Sequence, residues 1–201
     1  VTRFGASTDF GMRMLLSKYG LEAAKDVPFI QIGGMPELAA ALSKKTVYAA
    51  PMSQPMVYVA QQAGMRMIAN LAKEEIPFMH IGLTTSKKWV REHRPQAKAF
   101  IRAYGRSIHF MHTRREQTRS IFAKYTKIND EKILEESYKF SVEALSKEGF
   151  MPPEAFSALV EQLVSQKSID ETASKKLPLT AYFDNRYVNE LEKEGFFKKL
   201  W

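Results

Sequence analysis

The 201-residue sequence contains no cysteine. This absence excludes disulfide bonds, thiolate metal sites and cysteine nucleophiles, but it leaves the compartment open because a cysteine-free chain is viable in any of them. The sequence also lacks a run of the ~18 apolar residues that a membrane-spanning helix needs. With 45% hydrophobic and 26% charged residues, it has the composition of a globular protein that buries a core. A mainly disordered chain, a coiled coil and a membrane-spanning chain are therefore excluded.

Histidine is scarce, with four residues in the chain. His109 and His112 have the i,i+3 spacing of two metal ligands on a helix, but no carboxylate lies within a turn on that face. His80, in an extended apolar segment, is the histidine of most interest. The chain also lacks the Gly-x-Ser-x-Gly elbow of hydrolases. We therefore predict no metal, no cofactor and no catalytic residue, so the protein is not expected to be an enzyme.

Acidic residues are scarce between residues 86 and 127, where twelve lysines and arginines accompany two acids; the whole chain carries +8. Such a basic stretch raises the possibility of nucleic-acid binding, but no RNA-binding strand or zinc finger accompanies it. Lys98, Arg102 and Arg106 recur every four residues, opposite Ile108 and Met111. This pattern is typical of a solvated helix face. We predict such a face and no nucleic-acid partner, with nucleic-acid binding as an alternative.

The first 71 residues alternate between short apolar runs and helical patterns. Strands are predicted over 1–4, 27–32, 47–50 and 65–71, and helices from 7 to about 19, 36 to about 44 and 55 to about 64. This alternation indicates an α/β fold with a mainly parallel sheet. From residue 86 onward the chain reads as successive helices, the longest from Pro95 to about His112. The composition changes near 73–77, so we place one domain at 1–72 and a second at 73–201, which begins with a crossing strand.

A four-residue motif between the first strand and the first helix is the strongest local feature. Gly5 and Ala6 form a turn, and Ser7 and Thr8 add two hydroxyls at the start of the helix. Unpaired N–H groups and the positive end of the helix dipole favour an anion at this place. An ordinary helix cap explains the same residues. The motif is neither a P-loop nor a dinucleotide fingerprint, because the required glycine spacing is missing.

A polar tripeptide between two prolines is the second candidate. Met52, Ser53 and Gln54 follow a predicted strand, where open α/β sheets place ligands. A plain connection between strand and helix is an equally good explanation. Phe78 and Phe10, together with Met52, are candidates for an apolar wall. A small molecule with a polar or anionic head fits this set.

The order of these motifs resembles the extracytoplasmic solute-binding proteins of ABC importers, in the group that binds nitrate, sulfonates, taurine and thiamine-pyrimidine precursors. The matching passages are Gly5-Ala6-Ser7-Thr8, residues 37–42 with 47–50, Pro55, residues 86–102, Tyr182-Phe183-Asp184 and Glu194-Gly195-Phe196. The sequence departs from the family where Gly-x-Val-Asp is replaced by Lys45-Thr46-Val47-Tyr48.

The resemblance implies a two-lobe, type II periplasmic-binding-protein-like α/β fold with a helix-rich C-terminal half. Residues 1–72 would be lobe two, and 73–201 would supply the crossing strand and the end of lobe one, whose first part is expected to be absent. The ligand would lie between lobes that close by a hinge motion. Gly5, Ala6, Ser7, Thr8, Met52, Ser53, Gln54 and Phe78 would contact it. The partners implied are a small molecule and a membrane permease, and the location is periplasmic or otherwise extracytoplasmic.

Two further functions share this fold and stay as alternatives. One is an enzyme that makes the pyrimidine precursor of thiamine, although the cysteine-rich iron motif of that group cannot exist here. The other is the ligand-sensing domain of a transcription regulator, which the long helical second half disfavours.

Overall fold

The protein is described by a computed structural model that covers residues 1–74, 76, 82–176 and 178–201. Most of the described residues are helical. The α-helices are α1 Ser7–Lys18, α2 Met35–Ser43, α3 Met56–Gln62, α4 Lys87–Glu92, α5 Arg94–Thr113, α6 Arg115–Thr126, α7 Glu131–Ala144, α8 Pro153–Ser165, α9 Glu171–Lys176, α10 Arg186–Lys193 and α11 Phe196–Leu200. Short 3-10 turns lie at Leu71–Lys73 and Leu179–Ala181.

The helix boundaries follow local signals that are visible in the sequence. Proline occupies one of the first two positions of α2, α5 and α8, where its missing N–H and fixed φ cost nothing. Ser86 caps α4 through its hydroxyl, which accepts from Trp89 N at 3.0 Å. The longest helix, α5, differs from its prediction by one residue at each end. Local capping chemistry therefore accounts for where these helices begin.

The predicted α/β fold is wrong, because no described residue belongs to a β-strand. An isolated parallel bridge joins Ala23 to Val27. Val1 N donates to Ile30 O at 2.8 Å, and Ile32 N donates to Val1 O at 3.0 Å, but this pairing is too short to form a ladder. The runs at 47–50 and 65–70 form neither helix nor strand, residues 47 and 48 lie in a bend, and Tyr48 is 96% exposed. An apolar run becomes a strand only when a neighbour pairs with its N–H and C=O groups.

The described residues divide into two compact units, and the first comprises those of 1–78 together with Asp130–Ser137. Helices α2 and α3 contact each other in this unit, and Leu38 of α2 is completely buried. The end of α1 is tied to Glu74, whose Oε2 accepts from Tyr19 Oη at 3.0 Å and from Lys18 Nζ at 3.1 Å. These polar contacts hold the chain after the 3-10 turn against α1.

The second unit comprises the described residues of 79–129 and 138–201. Its centre is α5, which contacts α4, α6, α10 and α11. One cluster joins Ile108 and Met111 to Tyr138, and another contains Val188, Leu191 and Phe197. Helix α11 approaches closely at Gly105, where an added Cβ would meet Phe196 at 3.1 Å and Phe197 at 3.2 Å. A side chain at residue 105 would therefore displace these two rings.

Cationic residues on one side of α5 pair with carboxylates of α10 and the residue after it. Lys98 Nζ lies 3.0 Å from Glu190 Oε2 and 2.5 Å from Glu194 Oε1, and an Arg102 nitrogen lies 2.6 Å from Glu194 Oε2. Lys98 and Arg102 hold the pKa of Glu194 below its usual value, since both stabilise the carboxylate. The sequence predicts that this side of α5 is a solvated face. Lys98 and Arg102 instead form ion pairs with carboxylates. Their partners lie about ninety residues away in sequence and leave no local signal.

The described part of the chain contains no helix long and apolar enough to cross a membrane. The proposed division into lobes at 1–72 and 73–201 stays a prediction.

Candidate functional site

The first candidate is the turn that precedes α1. Gly5 has φ +74°, a left-handed conformation that glycine adopts without strain. Ala6 is the extended N-cap residue, and its carbonyl accepts from Asp9 N at 2.9 Å and Phe10 N at 3.0 Å. No side chain caps the helix. The start of α1 therefore presents the N–H groups of its first residues, as the sequence predicts.

A buried carboxylate already occupies part of this turn. Asp9 is 1% exposed, and its Oδ2 accepts from Gly5 N at 3.0 Å. Its Oδ1 accepts from Arg13 Nε at 2.9 Å, and the Arg13 guanidinium lies 5.0 Å above the centre of the Phe29 ring. The positive end of α1 is therefore partly neutralised by an acid of its own first turn. The sequence analysis did not predict this network. An acid and an arginine four residues apart on a helix are the pattern that indicates it.

The two hydroxyls of the turn have different environments. Thr8 is buried, and its Oγ1 lies 2.7 Å from the Thr2 hydroxyl and accepts from Thr2 N at 3.2 Å. Ser7 is half-buried, and its hydroxyl has no hydrogen-bond partner within the described ranges. Ser7 is thus the hydroxyl available to a ligand, whereas the Thr8 hydroxyl supports the turn.

The second candidate loop lies immediately before α3. Met52, Ser53 and Gln54 are half-buried, and the peptide bond from Gln54 to Pro55 is cis. Ser53 O accepts from Val57 N at 3.3 Å, so its carbonyl belongs to the start of the helix. Gln54 Oε1 is buried and has no hydrogen-bond partner in the described structure. A buried acceptor without a donor is costly, which makes Gln54 a candidate ligand contact.

The structure places both loops in the first unit, but no hydrogen bond between described residues joins them. Phe78 and His80 lie outside the described residues. Phe10, the other candidate for the apolar wall, is buried within α1.

A small pocket in the first unit was not predicted. Tyr58, Gln61 and Gln62 of α3 line it together with Lys132 and Ile133 from the start of α7. Its lining combines the amide groups of Gln61 and Gln62 and the ammonium group of Lys132 with apolar surface. The two contributing segments are about seventy residues apart in sequence, so no linear pattern marks them.

Histidines 109 and 112 face an aromatic ring. The His109 and His112 ring centres lie 5.1 and 4.9 Å from that of Trp201, and Lys147 Nζ lies 4.4 Å from the same ring. Burial, and after it Lys147 and His109, lower the pKa of His112. Over the residues that the structure describes, no group of three or more His, Asp or Glu is arranged to hold a metal ion.

Comparison with protein families identifies the class to which this chain belongs. The profile of the NMT1-like family matches residues 1–127, which is more than half of the chain and includes both candidate loops. The chain belongs to the NMT1-like family, and this confirms the resemblance drawn from its motifs. Members of this family are typically extracytoplasmic binding proteins for small molecules, and some are enzymes. No curated protein and no solved structure matches the chain.

Proposed function

We propose that this chain is the solute-binding component of an ABC importer, which captures a small polar or anionic organic molecule outside the cytoplasm and delivers it to a membrane permease. The match to the NMT1-like family over 1–127 carries the proposal. The proposed function involves no chemical conversion of the ligand. Ligand binding requires polar groups that are free to bond a ligand, and the half-buried Ser7 hydroxyl and the Gln54 Oε1, which is unpaired among the described residues, support the proposal.

The ligand contacts are proposed at the two loops. The Ser7 hydroxyl and the N–H groups of residues 7 and 8 donate to the polar head, while Gly5 and Ala6 shape the turn. Gln54 and Ser53 provide a second set of polar contacts. Met52 and Phe78 contribute apolar surface. Because Asp9 already neutralises part of the dipole, the proposed head is held by hydrogen bonds as much as by charge.

A precursor-synthesising enzyme of the same family is the second candidate, because the family includes enzymes. The absence of cysteine from these 201 residues favours the binding protein over the thiolate-dependent iron chemistry of that group.

A thermal-shift screen of the protein tests the proposal. The panel contains nitrate, taurine, alkyl sulfonates, aromatic carboxylates and pyrimidines. A ligand at 100 times its Kd should stabilise the folded state by about 2.7 kcal/mol. A panel without any shift, together with turnover of a pyrimidine precursor, would contradict the binding function.

A matched pair of variants then tests the site. Ser7→Ala should weaken binding of the ligand found and leave the unliganded Tm unchanged, because Ser7 has no partner within the described structure. Thr8→Ala should lower the unliganded Tm, because it removes the contact with Thr2. Equal affinity of Ser7→Ala and the parent protein would remove the turn from the site but would leave the binding function standing.

A further inference from the structure

Helix α5 has three distinct faces. Ala97, Ile108 and Met111 lie on its buried face, and Lys98 and Arg102 lie on the face that pairs with Glu190 and Glu194. These two faces account for about two thirds of the helix surface, since successive residues are rotated by about 100°. The remaining third faces solvent.

This third face combines apolar and basic side chains, and we call it the outer face of α5. Its members are all exposed and fall within an arc of about 120°. They are Phe100, Ala103, Arg106, Ser107 and Phe110, and Arg114 follows directly after the helix. Phe100 is 57% and Phe110 is 40% exposed. Their Cα atoms are about 15 Å apart along the axis, and Ala103, Arg106 and Ser107 lie between them.

The charge of the outer face restricts what can cover it. Arg106 and Arg114 form no ion pair with any described residue, and no acid lies on this face of α5. A second copy of the chain would bring like charges together, which is unfavourable. An anionic surface, by contrast, would pair with both arginines and remove both phenylalanines from water.

The shape of the outer face selects among anionic surfaces. It is a convex ridge with two projecting rings, and a protein partner would need a matching groove. A bilayer interface adapts to such a ridge, because acyl chains surround inserted rings while arginines reach the headgroups. We propose that the outer face of α5 docks onto the surface of a bilayer that contains anionic lipid, with Phe100 and Phe110 inserted below the headgroups.

Co-sedimentation of the full chain with vesicles tests this proposal. The vesicles contain either phosphatidylcholine alone or equal parts of phosphatidylcholine and phosphatidylglycerol. Binding should be at least about tenfold tighter to the anionic vesicles, because about 1 kcal/mol per arginine is gained near an anionic surface. Phe100→Ser combined with Phe110→Ser should weaken this binding by at least about tenfold, because burying each ring is favourable.

Matched controls distinguish docking by the outer face of α5 from the general electrostatic attraction of a basic protein to anionic vesicles. Tyr125→Ser removes another exposed aromatic ring, which lies on α6, and should leave binding unchanged. Arg106→Gln with Arg114→Gln should weaken binding more than Lys198→Gln with Lys199→Gln, a pair on α11 with the same change in charge.

Two outcomes would overturn the proposal. Parent-like binding of the double phenylalanine variant would assign any vesicle binding to general electrostatic attraction. Binding to soluble polyglutamate that depends on the two phenylalanines, without binding to vesicles, would assign the outer face to an acidic protein. Retained helical circular dichroism and Tm establish in each case that the variants are folded.

Discussion

The first unit and the second unit organise their apolar residues differently. In the first, α1, α2 and α3 alternate with segments that are neither helix nor strand, and several apolar side chains of these segments face solvent, including Tyr48, Ile68 and Ile30. In the second, helices pack around α5 and bury two clusters of apolar residues. Helices satisfy their own backbone groups before they pack, whereas an extended segment depends on a partner strand. The comparison teaches that packed helices build the two buried clusters of the second unit, while apolar runs of the first that lack a partner strand among the described residues leave side chains such as Tyr48 and Ile68 exposed.

Truncating the most buried leucine of each unit should have the largest effects. Leu191→Ala and Leu38→Ala each remove a completely buried side chain, and each should cost about 2–5 kcal/mol in free energy of unfolding. Urea denaturation measures the cost, and hydrogen exchange locates it. Leu191→Ala should lower protection in α5 and α10, and Leu38→Ala should lower it in α2 and α3. Ile68→Ala, at an exposed position, is the control with a change of less than about 0.5 kcal/mol. Equal loss of protection in both units for either variant would show that the comparison does not hold.

Removing the Asp9 carboxylate should have the next largest effect. Asp9→Ala leaves Gly5 N–H and the Arg13 guanidinium without their acceptor, and should cost about 1–3 kcal/mol. Asp9→Asn keeps one oxygen for Gly5 and should cost less. The control is Glu22→Ala, which removes an exposed pair with Lys25 and should change stability by less than about 0.5 kcal/mol. If both Asp9 variants matched the control in urea denaturation, the buried network would have no structural role.

Acidification should loosen the contact of Trp201 with α5 in the second unit. Burial, Lys147 and His109 lower the pKa of His112, so the folded state favours its neutral form. The stabilisation is complete above the unfolded value of about 6.5 and is lost as the pH falls through the lower folded value. In a Trp89→Phe background, the emission of Trp201 should change over this range together with a fall in Tm.

His112→Gln should flatten that pH profile, whereas the control His93→Gln, at a histidine whose ring does not contact Trp201 among the described residues, should not. Superimposable profiles for the parent protein and His112→Gln would assign the pH dependence to another group.

The ion pairs between α5 and α10 should have the smallest effect. Glu194→Gln removes the partner of Lys98 and Arg102, and should lower Tm slightly at low salt because the groups are largely solvated. The difference should vanish in about 1 M salt, where the screening length is about 3 Å. Glu161→Gln on α8 is the control. A salt-independent loss for Glu194→Gln would mean that packing, rather than charge, is responsible.

Local patterns predicted the helices well and the strands poorly. Helix α5 follows from Pro95 and its apolar spacing, and α1 follows from the turn at Gly5 and the glycine at position 20. The runs at 47–50 and 65–71 have the same apolar character as strands, yet they have no pairing partner in the described structure. Hydrophobic periodicity reports which residues prefer to be buried, and it does not report whether a neighbouring strand is present.

The candidate site was predicted in part. The position of the turn at residues 5–8 follows from its glycine and hydroxyls, and its role in binding stays a prediction. Asp9 and Arg13 were overlooked, although both lie on the same helix. Lys132 lines the small pocket together with residues of α3, and no residue near it in sequence indicates this contact.

The sequence alone determined the positions of most helices and, through the order of its motifs, membership of the NMT1-like family. These properties depend on interactions between residues close together in sequence, such as caps, turns and i,i+4 pairs. Such interactions can be recognised in the sequence itself. Only the tertiary structure decided that the apolar runs remain outside a sheet, that Lys98 and Arg102 meet Glu190 and Glu194, and that Phe100 and Phe110 share an exposed basic face. Each of these three features depends on which residues are neighbours in space. The packing of elements far apart in the chain determines those neighbours.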